Sequence, residues 1–432
     1  MKSKLLLIIL FLHPPAVFVI HAQVTENARK VIFELCAPEM HGRGYVSKGD
    51  RIAARYIARA YEWIGLEQLS GSYFQEFPVR INTQPSTMKC RINKMDQVPA
   101  VDYIIDQGSP TFRGKKEVYL INRSDILSGQ WQKLADPGKF MLVDNNRPAK
   151  ETPEQTGQTD SLIAVLKKGS PFIKSGIILW SKEKMTLKGF RELIPVPFVT
   201  IRSDRDPAEI KNVYLDIKSR YYSSYLTCNV AGFIRGKVYP DSVIIFTAHY
   251  DHLGMMGREV YFPGASDNAS GVAMILSLAG YYADPENTPD YSMLFIAFSG
   301  EEIGLMGSGY YVEHPLLPLE NTSFLINIDL AANGEEGITV VNGTFFPEQF
   351  DLLKRINDTG KYLPGVFVRG ESCNSDHCKF YEKGVPSIFI YTMGGSPGYH
   401  DLTDIPERLP LTMYGNYFKL LVEFTDSLQI HN

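Results

Sequence analysis

Residues 294–309 read LFIAFSGEEIGLMGSG: an apolar run, a polar turn with two adjacent glutamates, then small residues suited to a tight entry into a helix. A short, unbroken apolar run bounded by Ser299 and Gly300 reads as a strand covered on both faces, because a half-exposed strand would alternate. The segment 304–313 reads as a helix, so strand passes almost directly into helix, as in a βα unit. Glu301 and Glu302 then leave the end of a buried strand. Two carboxylates there are costly unless something positive meets them.

Working outward, the same texture recurs from about residue 228. VIIFTA (243–248), FLINI (324–328), ITVVN (338–342) and SIFIYT (387–392) are short runs rich in β-branched residues. Segments 270–282, 347–359, 375–383 and 411–428 read as helices. The alternation predicts an α/β fold, with a mixed, largely parallel sheet flanked by helices. Upstream, 25–67 reads as two helices; Ser47 and Asp50 before the second resemble a capping box. From about 86 to 221 the runs EVYLIN, KFMLVD, SGIILW and PVPFVTI alternate with polar loops. The expected division is a catalytic domain of residues 23–85 and 222–432, and a smaller β-rich domain of 86–221 inserted into it and folding separately.

At 432 residues, 44% hydrophobic, with a net charge of −4, the chain has enough apolar content for two domains and no basic excess for nucleic acid. Its start, MKSKLLLIILFLHPPAVFVIHAQ, reads as a signal peptide over 1–22: Lys2 and Lys4 precede an apolar stretch, and Ala22 offers a small residue for cleavage. His13, Pro14 and Pro15 interrupt that stretch, which argues against a stable membrane anchor. The expectation is export, to the periplasm or the extracellular space. Of five cysteines (Cys36, Cys90, Cys228, Cys373 and Cys378), only the last two lie close enough in sequence for a local bridge. The oligomeric state is not legible.

The ionisable residues fall at strand ends. His249 and Asp251 follow VIIFTA, Asp267 precedes a helix, Glu301 and Glu302 follow LFIAF, Asp329 follows FLINI, and His400 lies beyond SIFIYT. In open α/β sheets ligands bind at this edge. No Lys or Arg stands close to these ends in sequence. Two histidines with three or four carboxylates, and no cysteine, suit divalent ions with N/O ligands such as zinc. So many ligands exceed one tetrahedral site with an open position; they fit two ions sharing a bridging carboxylate. One glutamate of the doublet can then ligate while its neighbour faces an activated water. Asp251 could accept the far ring N–H of His249. His252 is a weaker competitor of His249, lacking the paired acid two positions on.

TAHYDHLG, GASDNASG, AFSGEEIGLMGS, NIDL, SDH and GYHDLTD together resemble the metal-site motifs of the co-catalytic di-zinc aminopeptidases of the bacterial leucyl aminopeptidase type. That family also includes glutaminyl cyclases and glutamate carboxypeptidases. The resemblance implies two zinc ions per chain, bridged by Asp267. Glu302 and His400 would complete one ion's ligands, His249 and Asp329 the other's. It also implies Glu301 as general base towards a metal-bridging water, a cis peptide after Asp267, and removal of N-terminal residues from peptide substrates. His377 and Tyr391 are the expected substrate contacts, with helix capping as the rival role for His377. Leu330 and Asp401 depart from the family's common residues without removing a ligand. Residues 86–221 look like a protease-associated domain. The alternatives are a glutaminyl cyclase with one zinc, a carboxypeptidase using Arg258 or Arg369, or a non-catalytic receptor-like ectodomain. Met255, Met256, Tyr261 and Phe262 could wall a pocket or simply pack; His41 and Arg43 read as structural.

Overall fold

The structure, a computed structural model, describes residues 16–189, 191–395 and 398–429. Of the expected leader over 1–22, residues 1–15 lie outside the described residues. The strands described form two eight-stranded sheets and one short hairpin. The main sheet is built, in chain order, from β1 (Phe74–Thr83), β2 (Arg220–Ile234), β3 (Tyr239–His249), β4 (Tyr291–Phe298), β5 (Thr322–Asp329), β6 (Ile338–Val341), β7 (Val366–Val368) and β8 (Ser387–Thr392). Its spatial order is β1-β2-β4-β3-β5-β8-β6-β7. The four central strands are parallel, and antiparallel pairs join them to both edges.

Every residue of β4 is buried, as its unbroken apolar run requires. Alternate side chains go to opposite faces. Met293, Phe295 and Ala297 join one apolar cluster; Leu294, Ile296 and Phe298 join another. Helices α1 (Ala16–Leu35), α2 (Gly49–Ile64), α3 (Ser270–Tyr282) and α6 (Tyr414–Leu428) cover the first face, joined by Leu353 of α5 (Pro347–Gly360). Tyr311 and Val312 of α4 (Met306–Glu313) and Phe380 of the short helix His377–Tyr381 cover the second. The chain steps from β3 to one neighbour, β4, and then to the other, β5. Their C-terminal ends therefore enclose a topological switch point, the crevice where such sheets place ligands. Among the described residues no helix is long and apolar enough to cross a membrane.

The second sheet is drawn wholly from strands between Lys89 and Ile217. Residues 117–122, 140–144, 177–181 and 198–202 are strands as read, and they pair in parallel. The segment is less purely β than its sequence suggests: Pro153–Lys168 is a helix, opened by a reciprocal Thr152–Gln155 cap. Nor does its core stand apart. Leu253, Met256 and Phe262, from the loops after β3, are buried in one apolar cluster with Trp180, Leu187 and Ile201. Burying each is worth ~1.5–3 kcal/mol, so the two sheets share stability. Met256 and Phe262 thus pack in a core and do not wall a pocket.

Two local readings change. No side chain caps α2; Asp50 is buried and accepts hydrogen bonds from Tyr225 Oη (2.7 Å) and Thr227 Oγ1 (2.8 Å). A tertiary network has taken the residue that resembled half of a capping box. Cys373 and Cys378 form a disulfide, while Cys36, Cys90 and Cys228 are buried thiols.

Candidate metal centre

His249 is the last residue of β3 and Asp329 the last of β5. Both side chains turn into the crevice beside Asp267, which precedes α3. The Nε2 atom of His249 lies 3.3 Å from Asp267 Oδ1 and 3.3 Å from Asp329 Oδ2. Its Nδ1 atom lies 3.1 Å from the carbonyl oxygen of Asp251. A carbonyl only accepts, so Nδ1 carries a hydrogen, while Nε2 faces two carboxylates and needs a proton or an ion between itself and them. Asp251 does hold His249, then, but through its backbone. Its carboxylate stands 3.9 Å from Nδ1 and accepts the Glu301 N–H instead (3.1 Å). The main chain turns back before the Asp251 side chain can reach the ring.

On the other side of Asp267, Nε2 of His400 lies 3.1 Å from Asp267 Oδ2 and 3.3 Å from Glu302 Oε2. Asp267 therefore gives one oxygen to each group, as a carboxylate shared by two ions would. His252, expected as a competitor of His249, lies on this side: Nδ1 is 2.7 Å from Glu302 Oε1 and 4.0 Å from Asp267 Oδ2. That approach is misaligned, since both His252 ring nitrogens and Glu302 Oε1 lack a hydrogen-bond partner. His252, Asp267 and Glu302 together could hold an ion. His400 fits better, because a single nitrogen faces both carboxylates.

Electrostatics test whether cations suit this site. Burial lowers the pKa of His249, yet Asp329, Glu301 and Asp267 drive it well above the usual histidine range. Burial likewise opposes charge on His400, but Asp267 and Glu302 push it up to about 10. Burial and Asp267 push the Glu302 carboxyl up, while His252 and His400 pull it down to about 2. Acceptors crowd together and draw positive charge onto both imidazoles. A divalent ion in place of each proton satisfies the same demand. The donor set, imidazole nitrogen and carboxylate oxygen without sulfur, suits zinc.

Supporting groups hold the acids. Thr247 donates to Asn327 (2.6 Å), Asn327 to Ser375 (2.8 Å), and Ser375 to Asp329 Oδ2 (3.3 Å). The Asn268 amide spans Asp329, donating to the Ile328 carbonyl (3.0 Å) and accepting from Leu330 N–H (3.3 Å). Asp404 accepts the N–H groups of Ser266 and Asp267 at 2.9 and 3.0 Å. The fully buried Arg43 guanidinium reaches the carbonyls of Leu35, Tyr250, Pro263, Gly264 and Asp267. Asn268, Ser375 and Asp404 stand in the quoted motifs, yet spacing alone gave them no task. Arg43 was legible as structural. The Asp267–Asn268 peptide is cis, where the family resemblance placed one.

A cavity of about 370 Å³ opens beside the centre, lined by Ser266, Leu330, Asn333, Glu336, Tyr391 and Tyr399 among others. Ser266, Leu330 and Tyr399 each adjoin an expected ligand in sequence, and Tyr399 stacks on His400 at 4.0 Å between ring centres. Tyr391 stands where a substrate contact was expected. His377 does not: it is fully buried, its Nε2 lies 3.0 Å from the Ser372 carbonyl, and burial lowers its pKa to about 4. It begins the helix His377–Tyr381 and packs against Phe389, 5.5 Å between centres. Neither Arg258 nor Arg369 lines the cavity.

Residues 229–425 match the model of Peptidase family M28. Among curated proteins, Aminopeptidase YwaD of Bacillus subtilis is 28% identical over 228 residues, 50% of this chain and 48% of that protein. A probable glutamate carboxypeptidase of Zea mays is 27% identical over 197 residues, 42% of this chain and 26% of that one. The chain thus spans about half the length of the first of these relatives, and less of the second. Among solved structures, a zinc aminopeptidase from Bacillus subtilis aligns with a TM-score of 0.66 at 19% identity, covering 93% of this chain and 94% of that one. A Peptidase M28 precursor from Shewanella amazonensis aligns at 0.69 and 15% identity, covering 96% and 97%. At such identities the likeness is one of fold. Through residues 229–425, this chain is similar to peptidase family M28.

Proposed function

We propose that the protein is an exported zinc-dependent exopeptidase that removes N-terminal residues from peptides. Residues 23–85 and 222–432 would act as the catalytic unit, with 86–221 inserted. The observation that carries the reading is the divided Asp267 carboxylate, with His249 on one oxygen and His400 on the other, each imidazole also meeting a second carboxylate, Asp329 or Glu302. Those five residues would hold two zinc ions. When bound, the ions supply Lewis acidity, lowering the pKa of water and polarising the scissile carbonyl.

The remaining chemistry belongs to the chain. Glu301 is the one carboxylate of the doublet that faces neither imidazole nitrogen. Its N–H is fixed by Asp251, and burial together with the nearby Glu302, Asp376 and Asp329 raises its pKa well above the carboxylate range, against the pull of His249. Such a group can take a proton from water at a Glu301 carboxylate oxygen and return it to the departing amine. Leu330, Tyr391 and Tyr399 would border the side chain of the residue being removed. Among the described residues no Lys or Arg lines the cavity, which disfavours recognition of a C-terminal carboxylate, although one relative carries a carboxypeptidase name.

The test is to assay aminoacyl-anilides, N-terminal glutaminyl peptides and C-terminal glutamyl peptides side by side, with and without zinc. Zinc-dependent release of the anilide is the expected result. Cleavage confined to C-terminal glutamyl peptides, or cyclisation alone, would overturn the reading.

A further inference from the structure

We propose that Lys184, Leu187, Gly189 and Arg191 of the inserted segment form a clamp that positions one half of the metal centre, the half made by Glu302 and His400. The clamp rests on the two-ion reading above. Its contacts fall on the two loops that carry these ligands. Lys184 Nζ donates to the Tyr399 carbonyl (3.0 Å) and pairs with the Asp401 carboxylate (3.8 Å). The Leu187 N–H points at the carbonyl of His400 itself (3.4 Å). Gly189 lies against the backbone of Glu302: a Cβ there would stand 2.7 Å from the Glu302 carbonyl carbon and closer still to its oxygen. Arg191 reaches Met306 Sδ at the start of α4, just beyond that loop (2.7 Å).

The clamp has its own anchor. Met185 and Leu187 are buried in the same cluster as Trp180 and Ile201, and Leu402, two residues past His400, packs against it. His249 and Asp329 need no such help, since they end paired strands. Glu302 and His400 stand on irregular backbone; His400 itself has a left-handed φ of 54°. Such a conformation persists only where the surroundings impose it. Main-chain contacts from the insertion, reaching His400 and Glu302 in turn, supply that constraint. These residues act through the ligands and are positioning residues.

Stepwise zinc titration of the apoprotein against a chelating indicator tests the clamp, with thermal unfolding of the zinc-free protein in parallel. His400→Ala identifies the step belonging to the Glu302–His400 half. In Gly189→Ala that step should weaken about 10- to 100-fold, the range for groups that orient ligands; the other step should change less than about twofold. Lys184→Ala should do the same more weakly. If Gly189→Ala does not fold, Leu187→Ala takes its place. Equal weakening of both steps, or loss of apoprotein stability with unchanged zinc binding, overturns the proposal. If the wild type takes up a single zinc ion, the two-ion reading fails by itself. The clamp then stands if Gly189→Ala weakens that ion, and falls if it does not.

Discussion

His249 and Asp329 reach the centre from the ends of adjoining paired strands, whereas Glu302 and His400 reach it from turns. The strand pair is fixed by the sheet, by the hydrogen bond from His249 to the Asp251 carbonyl, and by buried donors on Ser375 and Asn268. The turn pair leans on the insertion, through Leu187 and Gly189. One centre thus combines a half that the fold builds and a half that must be held. Regular secondary structure satisfies its own backbone groups and fixes its side chains with them. A turn gets the same precision only from outside contacts.

The largest effect expected lies within the glutamate doublet. Glu301→Gln should keep zinc and substrate binding and lose about 10²- to 10⁴-fold in turnover. Glu302→Gln should release one ion, with activity partly restored by excess zinc. Metal content and turnover of the two variants check this, and reversed outcomes would exchange the roles. Next comes Arg43, whose guanidinium joins Tyr250, between His249 and Asp251, to the Asp267 loop. Arg43→Met strands several buried carbonyls and should cost about 3–5 kcal/mol in denaturant unfolding. A loss below 1 kcal/mol would mean that the sheet holds this side unaided.

A third expectation concerns pH. Burial raises Asp50 to about 6, although Tyr225 and Thr227 pull it down. Thr227 also bonds Ser299, just before the doublet (2.8 Å). A carboxyl whose folded pKa exceeds its unfolded value of about 3.9 favours the fold when protonated. That stability is fully present below about pH 4 and is lost as pH rises towards 6, at most about 1.4 kcal/mol per unit. Asp50→Asn should flatten the loss, as unfolding across pH 4–7 will report; an unchanged slope would show that Asp50 does not cause it. The smallest effect belongs to Ser375→Ala. It should weaken only the His249–Asp329 ion, by about tenfold, mirroring Gly189→Ala. If both variants weaken the same ion, the two halves are not separate.

How much was legible follows the same division. β4 could be read because its apolar run serves both faces, and His249, Glu301, Glu302 and Asp329 could be placed because strand ends gather at one edge. His400 lies eight residues beyond β8; its loop belongs to that edge, but only the family resemblance paired it with Glu302. Asp251 was read as a partner of His249, but periodicity does not say whether a carboxylate or a carbonyl makes the bond. Met256 and Phe262 read equally as pocket or packing residues until their burial, with Leu253, against Trp180 and Leu187 is seen. Long-range packing of this kind leaves no local signal. Asn268 and Asp404 were missed likewise, since their partners lie about 60 and 138 residues away.

The central claim is a pair of ions shared by Asp267, with one ion on the strand half and one on the clamped half. Zinc-edge anomalous scattering from a zinc-loaded crystal tests it directly. Two peaks are expected, one among His249, Asp267 and Asp329, the other among Asp267, Glu302 and His400. One peak only, or a second peak held by His252 with His400 turned away, would contradict it.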